Sequence, residues 1–360
     1  MTLLKSCWLA VLFLATSTLA RAAVFDTALV HYQFTQEQLD ANLFVDLRGN
    51  VNLARSGTSG SFPTIVAGPE NAGGEAVEFI SNRTLATVPG VDDSLLNITS
   101  SMNSEFSLSA WIRRPLNGED FIISKMDSAD AFRGWWINVE DGGQISTIFR
   151  NTNVAAERIW YRTTDPVMPD GDPDFHHVAV TYDFETSAID ANRGVKIYVD
   201  GVLQPLTKDP NSSGNNFDAI DFDLSSSSPF TINGRNGVGT LGTNGTIAEL
   251  AIWDTALSAQ DVASLAGLSF PGDFNGDFVV DGSDFLVWQR GNSPNPLSAT
   301  DLAQWKTNFG SSAAAASATA VSEPSALILA GLSMAACGMR RASCPTLRFL
   351  RWGPGDHQGG

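Results

Sequence analysis

The sequence predicts an all-β chain, an antiparallel sandwich followed by a small helical module. Three observations carry this. Short runs that alternate apolar and polar residues recur from residue 24 to residue 267, separated by Gly, Asn, Asp and Pro. Stretches with a helical period are few in that span. The chain of 360 residues is 43% hydrophobic and 17% charged, enough apolar material for a packed core.

The strands are read in order. In "FSLSAWIRR" (106–114), Phe106, Leu108, Ala110 and Ile112 share one face. "FIISK" (121–125), "GWWINVE" (134–140), "QISTIFR" (144–150) and "HHVAVTYD" (176–183) follow. "VKIYVDG" (195–201) leads through Asp200-Gly201, a tight hairpin turn, into "VLQPL". "FTINGR" (230–235) and "GTIAELAIWD" (245–254) close the series. One helix interrupts it: Ser258 is its N-cap, Asp261 stands three residues on, and Gly267 stops it.

Both ends read as addresses. Lys5, an apolar run from Cys7 to Leu19 and the small-x-small triplet Ala20-Arg21-Ala22 form a secretory signal peptide, residues 1–22, cleaved after Ala22. At the other end, Glu323-Pro324-Ser325 precedes a weakly apolar run from Ala326 to Met339, then Arg340-Arg341. The run is shorter than the ~20 residues of a stable span, so it implies a transient anchor with the Arg pair on the cytoplasmic side. Residues 311–320, "SSAAAASATA", are a linker without apolar periodicity. Residues 342–360 are expected to be disordered.

The C-terminal order of Glu-Pro-Ser, apolar helix and Arg pair resembles the PEP-CTERM sorting signal over residues 321–341. It departs at Ser322, where that family has a Pro, and in the tail beyond Arg341. The resemblance implies an exosortase-type processing enzyme as a partner, with Glu323, Pro324, Arg340 and Arg341 as the recognised residues. It places the protein across the inner membrane, at the surface or in the matrix of a bacterial cell.

The strand series, with "HHVAVTYD", "VKIYVDGVLQP" and "GTIAELAIWDTALSAQDV" in that order, resembles the LamG-like, concanavalin A-like jelly roll over residues 23–267. That resemblance implies a binding or adhesion module for glycan or protein. Ala248-Glu249 stands where the family often has an Asp-Glu pair, and Phe175 where it often has a Trp. Glucanases of this fold carry E-x-D-x-x-E on one strand, with the two working carboxylates ~5 Å apart. No such spacing occurs here: Glu75 and Glu78 are three apart and would face opposite ways. The chain is therefore read as a non-enzyme. His176 and His177 have no acid or nucleophile at a suggestive spacing, and one of them must face the core. Trp135, Trp136 and Trp160 are the candidate ligand-binding residues, because sugars stack on exposed aromatics. Trp135 and Trp136 are adjacent in a strand, so one ring faces in and one out.

Residues 268–310 hold the acidic stretch "GDFNGDFVVDGSDFLVWQRG" (272–291). Counted from Asp273, positions 1, 3, 5, 7, 9 and 12 are Asp273, Asn275, Asp277, Val279, Asp281 and Asp284. That is the oxygen spacing of a Ca²⁺ loop, with Val279 giving its carbonyl. Position 6, usually Gly, is Phe278, so one weak site is expected. The helix after the loop has an echo 17 residues on: Asp284 and Trp288 against Asp301 and Trp305. Ser298 and Asp301 are read as a capping box, and Leu302, Trp305 and Phe309 as one helical face. A Ca²⁺ loop with two related helices resembles a dockerin type I module, which implies a cohesin-like partner. The second copy, "NSPNPLSATD", lacks the acidic spacing.

Charge narrows the function further. The formal net charge is −17, while the two ends carry +2 and +3, so the stretch between them carries −22. Such a surface repels nucleic acid and favours cations. The three cysteines are Cys7, Cys337 and Cys344, so the body has no disulfide. The reading is a secreted, surface-sorted binding protein for an extracellular glycan or surface protein. The alternatives are a polysaccharide-degrading enzyme or a subunit of a carbohydrate-active assembly, and a purely structural matrix protein.

Overall fold

The computed structural model describes residues 21–56, 63–80, 83–99, 105–114, 121–127, 132–140, 142–151, 158–169, 172–183, 194–209, 223–234, 244–268 and 270–312. Most of the signal peptide, most of the linker, and the sorting residues Glu323, Pro324, Arg340 and Arg341 lie outside them.

Two antiparallel sheets make the body. The first is ordered β13 (Val202–Leu203), β12 (Val195–Val199), β11 (His176–Asp183), β6 (Glu105–Arg113), β16 (Asn244–Trp253), β4 (Glu75–Ile80), β3 (Thr64–Ala67). β1 (Val30–Tyr32) pairs with the second half of β16. The second sheet is ordered β14 (Leu206–Lys208), β10 (Arg158–Thr163), β9 (Ile145–Arg150), β8 (Arg133–Val139), β7 (Phe121–Asp127), β15 (Thr231–Ile232), β5 (Thr84–Thr87), β2 (Leu53–Ser56). Neighbours that are distant in sequence, such as β16 beside β6, are what a sandwich closed by long connections produces.

The core lies between the sheets. Phe106, Leu108, Ala110 and Ile112 of β6 all face it, each at most 3% exposed, as their alternation predicts. Val178, Val180 and Tyr182 of β11 and Ile247, Leu250 and Ile252 of β16 join them. The outer face of the first sheet is covered in turn. There Ala179, Tyr198, Ala251 and Trp253 pack against Val262 and Leu265 of a helix, Ala259–Leu265. A shorter helix, α1, spans Gln36–Ala41, so the longer one is α2. Its N-terminus is the capping box read from the sequence: Ser258 Oγ accepts from Asp261 N and the Asp261 carboxylate accepts from Ser258 N. Asp200 and Gly201 have φ of 50° and 76°, the two left-handed residues that a tight hairpin between β12 and β13 demands.

Two helices, α3 (Gly282–Gln289) and α4 (Ala299–Asn308), follow the acidic loop. Gly272 sits where a Cβ would meet the Trp305 Cα at 2.7 Å, so only glycine lets the loop entry cross α4. Val279 pairs with Ser312 in an isolated antiparallel bridge, which carries this module two residues into the segment read as linker. Among the described residues no helix is long and apolar enough to cross a membrane.

Candidate functional site

The three candidate tryptophans part company. Trp135 is fully buried: its ring packs on Phe106 and Phe230, and its Nε1 donates to the Leu96 carbonyl at 2.9 Å. Trp135 is a core residue and leaves the list of ligand-binding candidates, because its parity on β8 matches Ile137 and Val139, which face the other sheet. Trp136 takes the opposite parity and is half-buried on the outer face of the second sheet. Its register partner on β9 is Ile148, and the partner of Ile148 on β10 is Trp160, also half-buried. The two rings thus stand in one row across three strands, two strand spacings or about 10 Å apart, with Ile148 between them.

The next row on that face is polar. Asn138 pairs with Ser146, and Ser146 with Arg162. Asn138 Oδ1 and Ser146 Oγ are buried and have no hydrogen-bond partner among the described residues. Arg162 bonds Glu140 at 3.2 Å. On the other side of the tryptophan row, Arg150 and Arg158 are register partners, and the Arg158 guanidinium lies 5.7 Å from the Trp160 ring centre. Two half-buried rings in one row can stack a sugar, with the guanidinium beside Trp160 as a hydrogen-bond donor.

The histidine pair is structural in its contacts. His177 is 1% exposed, but it faces the covered outer side of the first sheet, where Ser109 Oγ lies 2.8 Å from its Nε2 and Trp111 packs on its ring. Burial pushes it down to about 3. His176 is held between two carboxylates, Asp200 at 2.7 Å from Nδ1 and Asp172 at 3.1 Å from Nε2. The Asp200 hydrogen bond, opposed by burial and reinforced by the charges of Asp200 and Asp172, raises it to about 9. The same Asp200 accepts from His177 N at 2.9 Å, so this cluster pins the β12–β13 turn to β11.

In the acidic loop, ligand oxygens of Asp273, Asp277 and Asp284 lie within 4.8 Å of one another. The loop's own N–H groups organise them. Asp273 accepts from Gly276 N at 2.7 Å and Phe278 N at 2.8 Å; Asp284 accepts from Phe274 N at 2.7 Å, Asn275 N at 3.1 Å and Asp281 N at 2.8 Å. Asn275 Oδ1 accepts from Asp277 N at 2.9 Å, so its amide is folded into the same turn. Val279 donates its N–H to Asp277 Oδ1. Asp281 stands apart from the carboxylate group: it is the N-cap of α3 and accepts from Ser283 N at 2.6 Å. Burial first, then the like charges of Asp284 and Asp277, raise Asp273 to about 6. Phe278 takes φ of 58°, the left-handed turn its position demands, with its ring edge-on to Phe270.

The 17-residue echo has a structural form that spacing alone does not show. Trp305 Nε1 donates to the Asp281 carbonyl at 2.6 Å, and Trp288 Nε1 donates to the Ser298 carbonyl at 2.9 Å. Each helix's tryptophan therefore seals the N-cap residue of the other. Asp284 and Asp301, the paired acids, are both fully buried. Asp301 differs from a capping-box acid. Ser298 Oγ does accept from Asp301 N, but the Asp301 carboxylate turns to Asn295, taking its N–H at 2.8 Å and its amide at 3.0 Å.

Sequence reasoning missed a further cavity, of about 500 Å³, where Glu249 meets His31 and Gln33. Its residues are scattered from 21 to 267 and form no local motif; the one available signal was Glu249 itself, a lone acid inside an apolar strand.

The binding domain of Paraclostridial Mosquitocidal Protein 1 is similar over 68% of this chain and 52% of that one, at 16% identity and a TM-score of 0.47. The ligand binding domain of botulinum neurotoxin serotype D, solved in complex with N-acetylneuraminic acid, is similar over 69% of this chain and 52% of that one, at 16% identity and a TM-score of 0.45. The chain spans about half the length of these structures. Comparison with curated proteins gave no match. Residues 90–263, from the approach to β6 through most of α2, match the family model of the concanavalin A-like lectin/glucanases superfamily.

Proposed function

We propose that this protein is an exported binding protein whose jelly roll holds a glycan on the outer face of its second sheet, and that it works by binding and not by catalysis. The observation that carries this is the row Trp136–Ile148–Trp160, two half-buried rings aligned by strand register, with the Arg158 guanidinium 5.7 Å from the Trp160 ring centre. A glycan array probed with the exported chain tests the reading. Trp136→Ala and Trp160→Ala should each lower binding at least tenfold with the fold intact, and unchanged binding by both variants would sink it.

The acidic loop supports a second element of this reading, a Ca²⁺-ordered module. Its donor set fits a hard cation: three carboxylates, all oxygen, whose ligand atoms lie within 4.8 Å of one another. Asp273, Asp277 and Asp284 would hold the ion, with Asn275, the Val279 carbonyl and Asp281 completing the shell as the dockerin resemblance implies. The ion would supply charge neutralisation and loop order. Leu286, Leu297 and Phe309 are exposed at 45%, 59% and 59%, apolar side chains available to a cohesin-like partner. In the same reading the signal peptide is cut after Ala22, and an exosortase-type enzyme acts at the tail carrying Glu323, Pro324, Arg340 and Arg341. Mass spectrometry of the exported chain reads both ends.

A further inference from the structure

β16 slips its register against β6 between Ile247 and Leu250. The slip turns Glu249 to the outer face of the first sheet, opposite His31 and Gln33, yet Glu249 is only 4% exposed. Its Oε1 accepts from His31 Nε2 at 3.0 Å and Gln33 Nε2 at 3.1 Å. Its Oε2 is paired with the guanidinium of Arg21. That guanidinium also lies 5.4 Å from the centre of the Phe25 ring, and Phe25 stacks on His31 at 4.0 Å. Burial works against the charge on Glu249, but the bond from His31 and the charge of Arg21 prevail and hold it below the usual carboxylate range.

A carboxylate facing an aromatic ring is the arrangement that recognises a planar cation. The groups line the cavity of about 500 Å³, and so does Ser264. The Ser264 hydroxyl is independent of the ion pair: the residue is 4% exposed and its Oγ has no hydrogen-bond partner among the described residues. A buried hydroxyl without a partner points to something that the cavity is built to receive.

Arg21 lies one residue before Ala22, after which the chain is proposed to be cut. Cleavage there would remove Arg21 and leave Glu249 buried with one oxygen unpaired. The aromatic wall would stay, because Trp253 Nε1 holds the Val24 carbonyl at 3.0 Å and Phe25 stacks on His31, both beyond the cut.

The geometry points to the Glu249 cavity as a receptor for a guanidinium group, an arginine side chain presented by a partner peptide, with Arg21 its tethered occupant until processing. Guanidinium is preferred to ammonium because its plane can lie on Phe25 while its fork meets a carboxylate oxygen. The timing rests on cleavage after Ala22; the cavity's chemistry does not.

Calorimetry with N-acetyl-arginine amide separates the two. The probes are the full chain, the full chain with Arg21→Ala, and the exported chain beginning at Ala23. Binding is expected to the last two and not to the first, with at least a tenfold loss in Arg21→Ala/Glu249→Gln and a smaller loss on adding Ser264→Ala instead. Thermal melting of each variant confirms that it is folded. A folded Arg21→Ala chain that takes up no arginine amide would overturn the receptor, as would equal binding of the lysine amide. Binding to Arg21→Ala but not to the exported chain would mean that the Ala23 α-ammonium fills the cavity, and would overturn the ligand reading. An exported chain still carrying Arg21 would overturn the timing, and the Arg21→Ala result would still decide the receptor.

Discussion

Phe278 holds a left-handed backbone, φ 58°, in the turn that carries Asp273 and Asp277. For a residue with a Cβ that conformation costs roughly 1–2 kcal/mol relative to glycine. Contact with Phe270 returns part of it. Phe278→Gly should therefore tighten Ca²⁺ binding by about tenfold, read by calorimetry on the whole chain; unchanged or weaker affinity would show that the Phe270 contact outweighs the strain. Trp135 and Trp136 make the sharper contrast, since they are neighbours with opposite fates. Trp135→Ala empties a site in the inter-sheet core and should cost about 3–5 kcal/mol in urea denaturation, whereas Trp136→Ala should cost far less and be felt in ligand binding. Equal destabilisation by the two would contradict the placement of the outer face. His176 adds a pH signature. Its folded pKa, about 9, lies above its unfolded value, so its contribution to stability is complete below about pH 6.5 and is lost as pH rises through about 9. Denaturation between pH 6 and pH 10 should show that loss in the natural chain and a flatter profile in His176→Gln.

At the scale of elements, legibility did not follow length alone: β4 and β10, six residues each, escaped the sequence reading, while β9, also six, did not. β6, β8, β9, β11 and β16 have enough residues to show their period, and Ser258, Asp261 and Gly267 bound α2 where local chemistry places it. β1, β2, β3 and β5 are three or four residues long. A run such as "VHY" or "TLAT" has no period to read, and only its pairing with a distant strand makes it one. The tryptophan pair is a different case. Alternation says that one ring is inside, and the apolar Ile137 and Val139 on the parity of Trp135, against Asn138 and Glu140 on that of Trp136, say which; the register with β9 and β10 adds only that Trp160 joins the Trp136 row. The acidic spacing was legible because side-chain oxygens recur at positions 1, 3, 5, 9 and 12; the structure gathers positions 1, 5 and 12, Asp273, Asp277 and Asp284, while Asp281 at position 9 caps α3. In this module the fully buried side chains of α3 and α4 are the acids Asp284 and Asp301, with Val280 the buried apolar residue beside them. So small an apolar core cannot hold two short helices without help. Chelation of Ca²⁺ should then remove the share of the helical far-ultraviolet circular dichroism that α3 and α4 contribute, while the signal of the sheets, α1 and α2 stays. A helical signal indifferent to chelator would mean that the Trp288 and Trp305 seals suffice.

For the whole molecule, the governing constraint is a large core without covalent staples. The two sheets bury one continuous apolar cluster from Val30 to Ile252, and a second cluster under α2 ties the N-terminal segment to the end of β16. No cysteine lies between residues 8 and 336. A body of this size can dispense with disulfides because the fraction of surface buried on folding rises with chain length. The claim is measurable. A disulfide that closed a long loop in the body would contribute about 2–4 kcal/mol, and in a domain of this size each kcal/mol moves the melting midpoint by about 2–4 °C. Dithiothreitol should therefore leave the body's thermal midpoint unchanged. A fall of about 4 °C or more would require a covalent link between chains or through the tail cysteines Cys337 and Cys344, and the core would no longer account for the stability by itself.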